Sequence, residues 1–490
     1  MNNFALSFWR DKKKSAEKTC IYNKLFVPLH PVNNTPYSTM AYDNRDAIDF
    51  ATLPVPKLFR RMFFPTLLGM VSSVVLNITD GAFVGHGVGS NALAAVNIVA
   101  PVYMLITGIG LMFGIGGSVV ASIHLAKDDT KAARINITQS YLGGLVVGCL
   151  LAALILSNKA ATCRLFGASE ALVPEACKYL FWIALFQPFC MIAETGLFAV
   201  RLDGQPKLAA GIHITTALLN IFLDWLLIFP LNMGLEGAAI ATASCYGLCG
   251  VACLAYNAFG ARTLRLYRLK TSITSLQLTL RNLAYQMRLG FSAFVGEMAM
   301  SALFIAGNYQ FIRYLGEDGV AAFSVACYCT PVVFMLANSI TQSAQPIISF
   351  GYGKNIPERV LEAARISLFV AVGGGLAIVM FFAVGAPQIA SLFLPAGSAH
   401  NLCAEGLPYF AISALFTIVN VVCVGYYQSI ERSTRATVYT LLRGFVFMLP
   451  AFIILPALIG ATGLWLALPA AEFLTTIVIL VMTLKPSQKG

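Results

Sequence analysis

Twelve long apolar runs constrain this chain more than any other feature. A helix needs about 20 apolar residues to cross a hydrocarbon core of about 30 Å. Stretches of that length lie near 62–82, 93–122, 136–157, 179–200, 208–230, 235–256, 286–311, 320–346, 366–384, 407–428, 436–457 and 462–484. Only 11% of the 490 residues are charged and the mean hydropathy is +0.75, whereas soluble domains carry about a quarter charged residues. Disorder is excluded outside the ends by the same apolar content. The runs lack strict two-residue alternation, which disfavours a transmembrane β-barrel. The expected fold is therefore an all-α integral membrane protein with twelve transmembrane helices.

The basic residues orient these crossings. Segments on the side of the N-terminus hold 28 of the 33 Lys and Arg, whereas the other side holds only Lys159, Arg164, Lys178 and Arg313. Basic residues stay on the cytoplasmic side, so both termini are expected there, in a cell membrane of the bacterial inner-membrane kind. The net charge of +11 then serves topology and contact with anionic lipid, and no nucleic-acid role follows from it. Residues 1–57 are polar and contain no apolar core followed by a small-residue cleavage site, so they read as a cytoplasmic extension and not a signal peptide. Met40 is a candidate alternative start. The twelve cysteines mostly fall inside apolar helices, as with Cys245, Cys249 and Cys253, and no pair of CxxC units appears. They read as packing residues, with no metal and no cofactor.

The chain also repeats itself. A shift of 227 carries Gly69 to Gly296, Ala94-Ala95 to Ala321-Ala322 and Lys127 to Lys354. Later matches drift between 226 and 231, as from Ala132-Ala133-Arg134 to Ala363-Ala364-Arg365 and from Gly237 to Gly463. The expectation is two pseudo-symmetric six-helix bundles, 58–256 and 286–485, joined by a basic linker over 257–285 that lies on headgroups. An even number of crossings per copy puts the symmetry axis along the membrane normal, an arrangement that lets two bundles rock around a central site.

Five carboxylates fall within the apolar runs, where each costs about 2.5 kcal/mol or more at mid-membrane. Asp80 stands near the outer end of the first crossing. Asn220 and Asp224 are four residues apart on the fifth, hence on one face, and Thr242 reaches a similar depth on the sixth. Two acids, an amide and a hydroxyl at one level suit either proton uptake or a hard cation such as Na⁺. Glu297, on the seventh crossing, suits an organic cation or a proton. Glu194, seven residues before Arg201, suits an ion pair near the inner surface, and Glu472 has no assigned direction. Arg443 is expected to snorkel to the cytoplasmic surface. The glycines of the second crossing (Gly108, Gly110, Gly114, Gly116 and Gly117) indicate close helix packing. Tyr103, Phe113, Phe189, Trp225, Phe304 and Tyr309 are candidates for an aromatic cavity.

Several motifs appear in order along the chain. They are Asp80 with Val84-Gly85-His-Gly87 and Leu93-Ala-Ala95, then Arg201-Leu-Asp203-Gly204-Gln-Pro206, Asn220-Ile-Phe-Leu-Asp224, and Gly234-Leu-Glu-Gly237-Ala-Ala-Ile-Ala-Thr242. Together they resemble the multidrug and toxic compound extrusion (MATE) family over about residues 58–484. The resemblance implies antiport of organic cations or drugs against Na⁺ or H⁺ by alternating access, in a protein expected to be a monomer. It implies coupling-ion roles, possible Na⁺ ligation included, for Asp80, Asn220, Asp224 and Thr242, and a substrate or proton role for Glu297. Some members carry an acid in the tenth crossing; this chain has Asn420 and Gln428 there, so coupling is expected through the first bundle. The alternative reading is a flippase of lipid-linked glycans or other lipids, which would need a basic cavity. An enzyme is not expected: no HExxH, aspartate-rich or Gly-x-Gly-Asp motif occurs.

Overall fold

The computed structural model describes residues 50–484, apart from 51, 89, 167, 169 and 171. Met40 and nearly all of the polar N-terminal extension lie outside the described residues. Eleven helical stretches are long and apolar enough to span a bilayer. The longest, Ile273–Gly353, runs for 81 residues. At 1.5 Å per residue a straight helix of that length would be about 120 Å, four bilayer cores end to end. It folds back at Gly316, whose φ of 67° and ψ of −157° are not helical, a conformation open to glycine because it has no Cβ. Twelve crossings result: α1 Val55–Gly87, α2 Ser90–Ala126, α3 Thr130–Ser157, α4 Val173–Leu202, α5 Pro206–Ile228, α6 Gly234–Gly260, α7 273–315, α8 317–353, α9 Pro357–Val384, α10 Ser398–Ser429, α11 Ser433–Ile459 and α12 Ala461–Leu484. Short helices at Lys159–Leu165 and Ala386–Phe393 precede α4 and α10.

The helix ends carry the expected chemistry. Asp129 caps α3 by accepting the Ala132 N–H at 2.9 Å, and Ser272 caps α7 through Ser275. Pro206 and Pro357 open α5 and α9, positions where a missing N–H costs no intrahelical bond. The duplication is visible in the backbone as well. Left-handed residues recur at Asp128 and Asn355, at Gly204 and Glu431, and at Gly234 and Gly460, spaced 227, 227 and 226 residues apart.

The two halves pack differently. Behind α1–α6, the core of α2, α4 and α6 is built from small residues such as Ala184, Ala238 and Ala239. A Cβ on Gly250 would come within 2.6 Å of the Phe189 carbonyl, and one on Gly196 within 2.3 Å of Cys253. Cys245, Cys249 and Cys253 are buried packing residues of this interface. The α7–α12 core is aromatic: Phe311 stacks on Phe323 at 4.5 Å and meets Trp465 edge-on at 4.9 Å.

Two expectations need correction here. The end of the stretch read as a cytoplasmic extension, 1–57, is not all apart from the helical core: Phe50 and Val55 are buried with Leu58 and Phe59 in the core of the second half, and Arg359 holds the Phe50 and Leu53 carbonyls at 2.8 Å each. Nor does 257–285 simply lie on headgroups. Asp203 accepts the N–H groups of Arg262, Thr263 and Leu264 at 2.7–3.1 Å and the Tyr256 hydroxyl at 2.7 Å. Leu264 is fully buried, and α7 has already begun at Ile273.

The halves meet at the end where the basic loops lie. Gly116 brings α2 against α7 so closely that a Cβ would stand 2.0 Å from the Gln286 carbonyl oxygen, and Gly290 does the same against Met112 at 2.1 Å. Gln286 is fully buried; it donates to Asn136 Oδ1 at 3.0 Å and accepts from Ser140 at 2.9 Å. Ser122 donates to the Pro346 carbonyl, and Lys354 pairs with Asp128 at 2.7 Å. The glycine-rich second crossing is thus a packing surface, as its spacing indicates.

Candidate functional site

Helices α1 and α5 run parallel, and three contacts fix their register. Ser73 is hydrogen-bonded to His213 at 3.2 Å, Gly69 faces His213 and Ala210, and Gly87 faces Ile228. This offset of 140–141 residues puts Asp80 level with Asn220. The chain then reverses through Asn232, with φ 51°, and α6 returns with Gly237 against Leu227, which carries Thr242 to the same level. Asp80 and Asp224 are within electrostatic reach of each other, and Tyr179 of α4 is in reach of both. Asp224 is 0% and Asn220 1% exposed. Among the described residues, both oxygens of Asp224, both polar atoms of Asn220, the Thr242 hydroxyl and Asp80 Oδ1 have no hydrogen-bond partner. Buried polar atoms are normally satisfied, so four side chains left open at one level form a group built to receive something polar or charged. Its donor set, two carboxylates with an amide and a hydroxyl oxygen, fits a proton or a hard cation. Among the described residues there is no cluster of three His, Cys, Asp or Glu for a softer metal.

A second acidic station lies where the halves face each other. Glu297 of α7 packs on Gly108, and Glu194 of α4 packs on Gly110, so two glycines of α2 admit the acids from either side. The two carboxyls are in electrostatic reach of one another. Glu194 therefore does not form the ion pair with Arg201 read from the sequence. Arg201 is buried and stacks over Phe198 at 5.4 Å, acting on Glu194 only through longer-range charge. The hydroxyls of Tyr103 and Tyr246 are hydrogen-bonded to each other nearby. Of the other aromatic candidates, Phe113 is buried and Phe304 is partly buried against the core of the second half, while Phe189, Trp225 and Tyr309 are exposed.

The second half holds a different arrangement. Arg443 does not snorkel: it is buried and donates from Nε to Glu472 Oε1 at 3.0 Å. Asn420 donates to Glu472 Oε2 at 2.7 Å and accepts from Thr476 at 2.9 Å. Gln428 is spent on Ser292, at 2.8 Å. Arg443 sits in a π-helical turn, Leu442–Val446, a local widening that turns the side chain inward. Glu472 is thereby neutralised from within, and Asn420 belongs to its shell.

Sequence reasoning missed Tyr179, Tyr246 and the Ser73–His213 pair. Helical spacing contained a signal for two of them: Tyr246 follows Thr242 by four residues, and His213 precedes Asn220 by seven.

A duplicated pair of six-helix units, joined around intramembrane acids, is an arrangement found in many transporters. Comparison with known proteins agrees. The MatE family model matches twice, over residues 65–226 and 293–453. The multidrug export protein MepA of Staphylococcus aureus (strain MRSA252) is 23% identical over 434 residues, covering 87% of this chain and 92% of its own length. MepA of Staphylococcus saprophyticus is 22% identical over 408 residues, covering 83% and 89%. Among solved structures, a multidrug resistance MATE family transporter of the MOP superfamily in an outward-facing conformation superposes with a TM-score of 0.83 at 22% identity, over 90% of this chain and 98% of its own. The Vibrio cholerae MATE transporter VcmN gives 0.81 at 21%, over 88% and 96%. The chain belongs to the MatE family, whose members are multi-pass membrane transporters and not enzymes.

Proposed function

We propose that this protein exports organic, cationic and amphipathic compounds in exchange for H⁺ or Na⁺. In this reading Asp80, Asn220, Asp224 and Thr242 hold the coupling ion, and Glu297 with Glu194 receives the substrate's positive charge. The observation that carries it is the convergence of Asp80, Asn220, Asp224 and Thr242 at one depth with their polar atoms unpartnered. The names of the MepA relatives support the substrate class, and the basic loops support a cytoplasmic position for both termini. With that orientation the state described here is closed towards the cytoplasm, since the Gly116–Gln286 and Lys354–Asp128 contacts lie at the basic end.

The cycle follows from charge. An ion entering from outside offsets one negative charge of the Asp80–Asp224 pair, α1 repacks against α5, and the cationic substrate leaves. After the bundles rock, loss of the ion to the cytoplasm restores negative charge and the next cation is drawn in. Exchange of one ion for one singly charged substrate moves no net charge, so the ion's concentration gradient drives export, each tenfold of it being worth about 1.4 kcal/mol. The test is dye efflux from proteoliposomes under separate Na⁺ and pH gradients. Asp80→Asn and Asp224→Asn should each abolish gradient-driven efflux, and the gradient that drives the wild type identifies the ion. Undiminished efflux in both variants removes the site, and glycolipid translocation without dye efflux would turn the reading towards a flippase.

A further inference from the structure

Buried polar atoms without protein partners are unevenly distributed among the described residues: ten residues of α1–α6 carry them against three of α7–α12. Several fall on one seam. On α1, Thr66, Ser73 and Asp80 follow at seven-residue intervals, and on α5 His213 and Asn220 do the same, with Asp224 one turn on. Seven residues are nearly two turns, so each set holds one helix face and its members stand about 10 Å apart. The parallel register of the two helices sets Ser73 against His213 and Asp80 against Asn220. The intervening residues on the α5 face, Ala209, Ala210 and Ala217, are small, and Gly69 keeps the facing wall of α1 low. Thr66 Oγ1, His213 Nδ1 and the upper site's oxygens are unpartnered. By the same register Thr66 lies level with Lys207, in the first turn of α5 at the basic end.

From this geometry we infer that the α1–α5 seam is the internal route by which a proton leaves Asp80 and Asp224 for the cytoplasm, with His213 as its relay. The inference rests on the coupling-site reading above and deepens it by committing to H⁺. Each gap of about 10 Å takes roughly three water molecules in a hydrogen-bonded file at about 2.8 Å spacing. An imidazole bonded to Ser73 through Nε2, with Nδ1 beside the Gly69 backbone, accepts a proton on one nitrogen and releases it from the other, so the charge never crosses apolar wall unassisted. The groups facing His213 are Ser73 and Gly69 of α1, with the Arg201 guanidinium of α4 in electrostatic reach.

The test separates coupling from binding and from folding. Purified full-length protein in proteoliposomes is assayed for ethidium transport driven by a pH gradient and, separately, for exchange of labelled against unlabelled ethidium without a gradient. His213→Gln keeps a hydrogen bond to Ser73 but cannot relay a proton, and His213→Ala removes both. Driven transport should fall by about a hundredfold in both variants, the lower end of what a positioned proton-transfer group contributes, while exchange keeps its wild-type rate. Wild-type driven transport in either variant overturns the relay, and so does an equal loss of exchange, which would assign His213 to the fold. Asp224→Asn runs alongside: if its driven transport survives, the coupling reading itself fails, whereas its loss beside an unaffected His213→Gln rejects the seam alone.

Discussion

The Arg443–Glu472 pair shows how much a single contact changes the meaning of a charged residue. Read alone, Arg443 is close enough to a helix end to reach water, and Glu472 is an intramembrane acid without a role. Together they form a buried ion pair completed by Asn420, and Phe334 covers the guanidinium at 5.5 Å. Removing one partner of a buried pair strands the other charge, at about 3–5 kcal/mol, whereas replacing both by apolar residues is often neutral. Arg443→Met should accordingly lower the melting temperature in detergent sharply, and Arg443→Met with Glu472→Met should recover most of the loss. Equal melting of the single and double variants would contradict the coupling. In the first half, by contrast, Asp80 and Asp224 have no such internal counter-charge among the described residues, which is why the proposed ion exchange is placed there.

Among the elements, the loop after α6 is the part whose structure departs most from its composition. Its arginines suggest a mobile basic strap, yet Asp203 gathers three successive N–H groups from it. Asp203 can do so because Gly204, at φ 87°, turns the chain from α4 into α5 and leaves the carboxylate facing the loop. Charge-assisted hydrogen bonds of this kind are roughly twice as strong as neutral ones. Asp203→Ala should release the loop, so limited trypsin digestion should cut at Arg262, Arg265 or Arg268 much faster than in the wild type. An unchanged cleavage pattern would show that Leu264 and its apolar neighbours alone hold the segment. The motif around Asp203 was recognisable as a sequence pattern, but its partner lies about sixty residues away, which no local spacing reveals.

For the whole molecule, the decisive feature is that the halves touch at the basic end, with the contact continuing along α2 and α7 as far as Met104 and Ser301. Gly116, Gly290 and Gly353 allow backbone contact between α2, α7 and α8, and the exposed Lys354–Asp128 pair bridges the tips of two symmetry-related turns. An exposed ion pair contributes little stability by itself, so the glycine contacts set the strength of closure. Asp128→Cys with Lys354→Cys, in a background with the exposed Cys149 replaced by Ser, should crosslink through a short bis-thiol reagent. Export should stop while the link is intact and return on cleavage, because a transporter held closed at one end cannot complete its cycle. Full activity in the crosslinked state would refute rocking about this contact.

Sequence alone determined the membrane class, the twelve crossings and the duplication, and it singled out Asp80, Asn220, Asp224 and Thr242 as lying at one level. Each follows from local or periodic information: a run long enough for the bilayer, a recurring offset, a carboxylate where burial is costly. Even the break in the longest helix is local, since Gly316 and the charges after it cannot stay in lipid. The tertiary structure decided which side chains meet across helices. It paired Arg443 with Glu472, separated Glu194 from Arg201, fastened the basic loop to Asp203 and set α1 against α5 in a register that aligns Ser73 with His213. Such pairings depend on how neighbouring helices rotate and slide to bury small residues, and that choice is made by packing between distant segments.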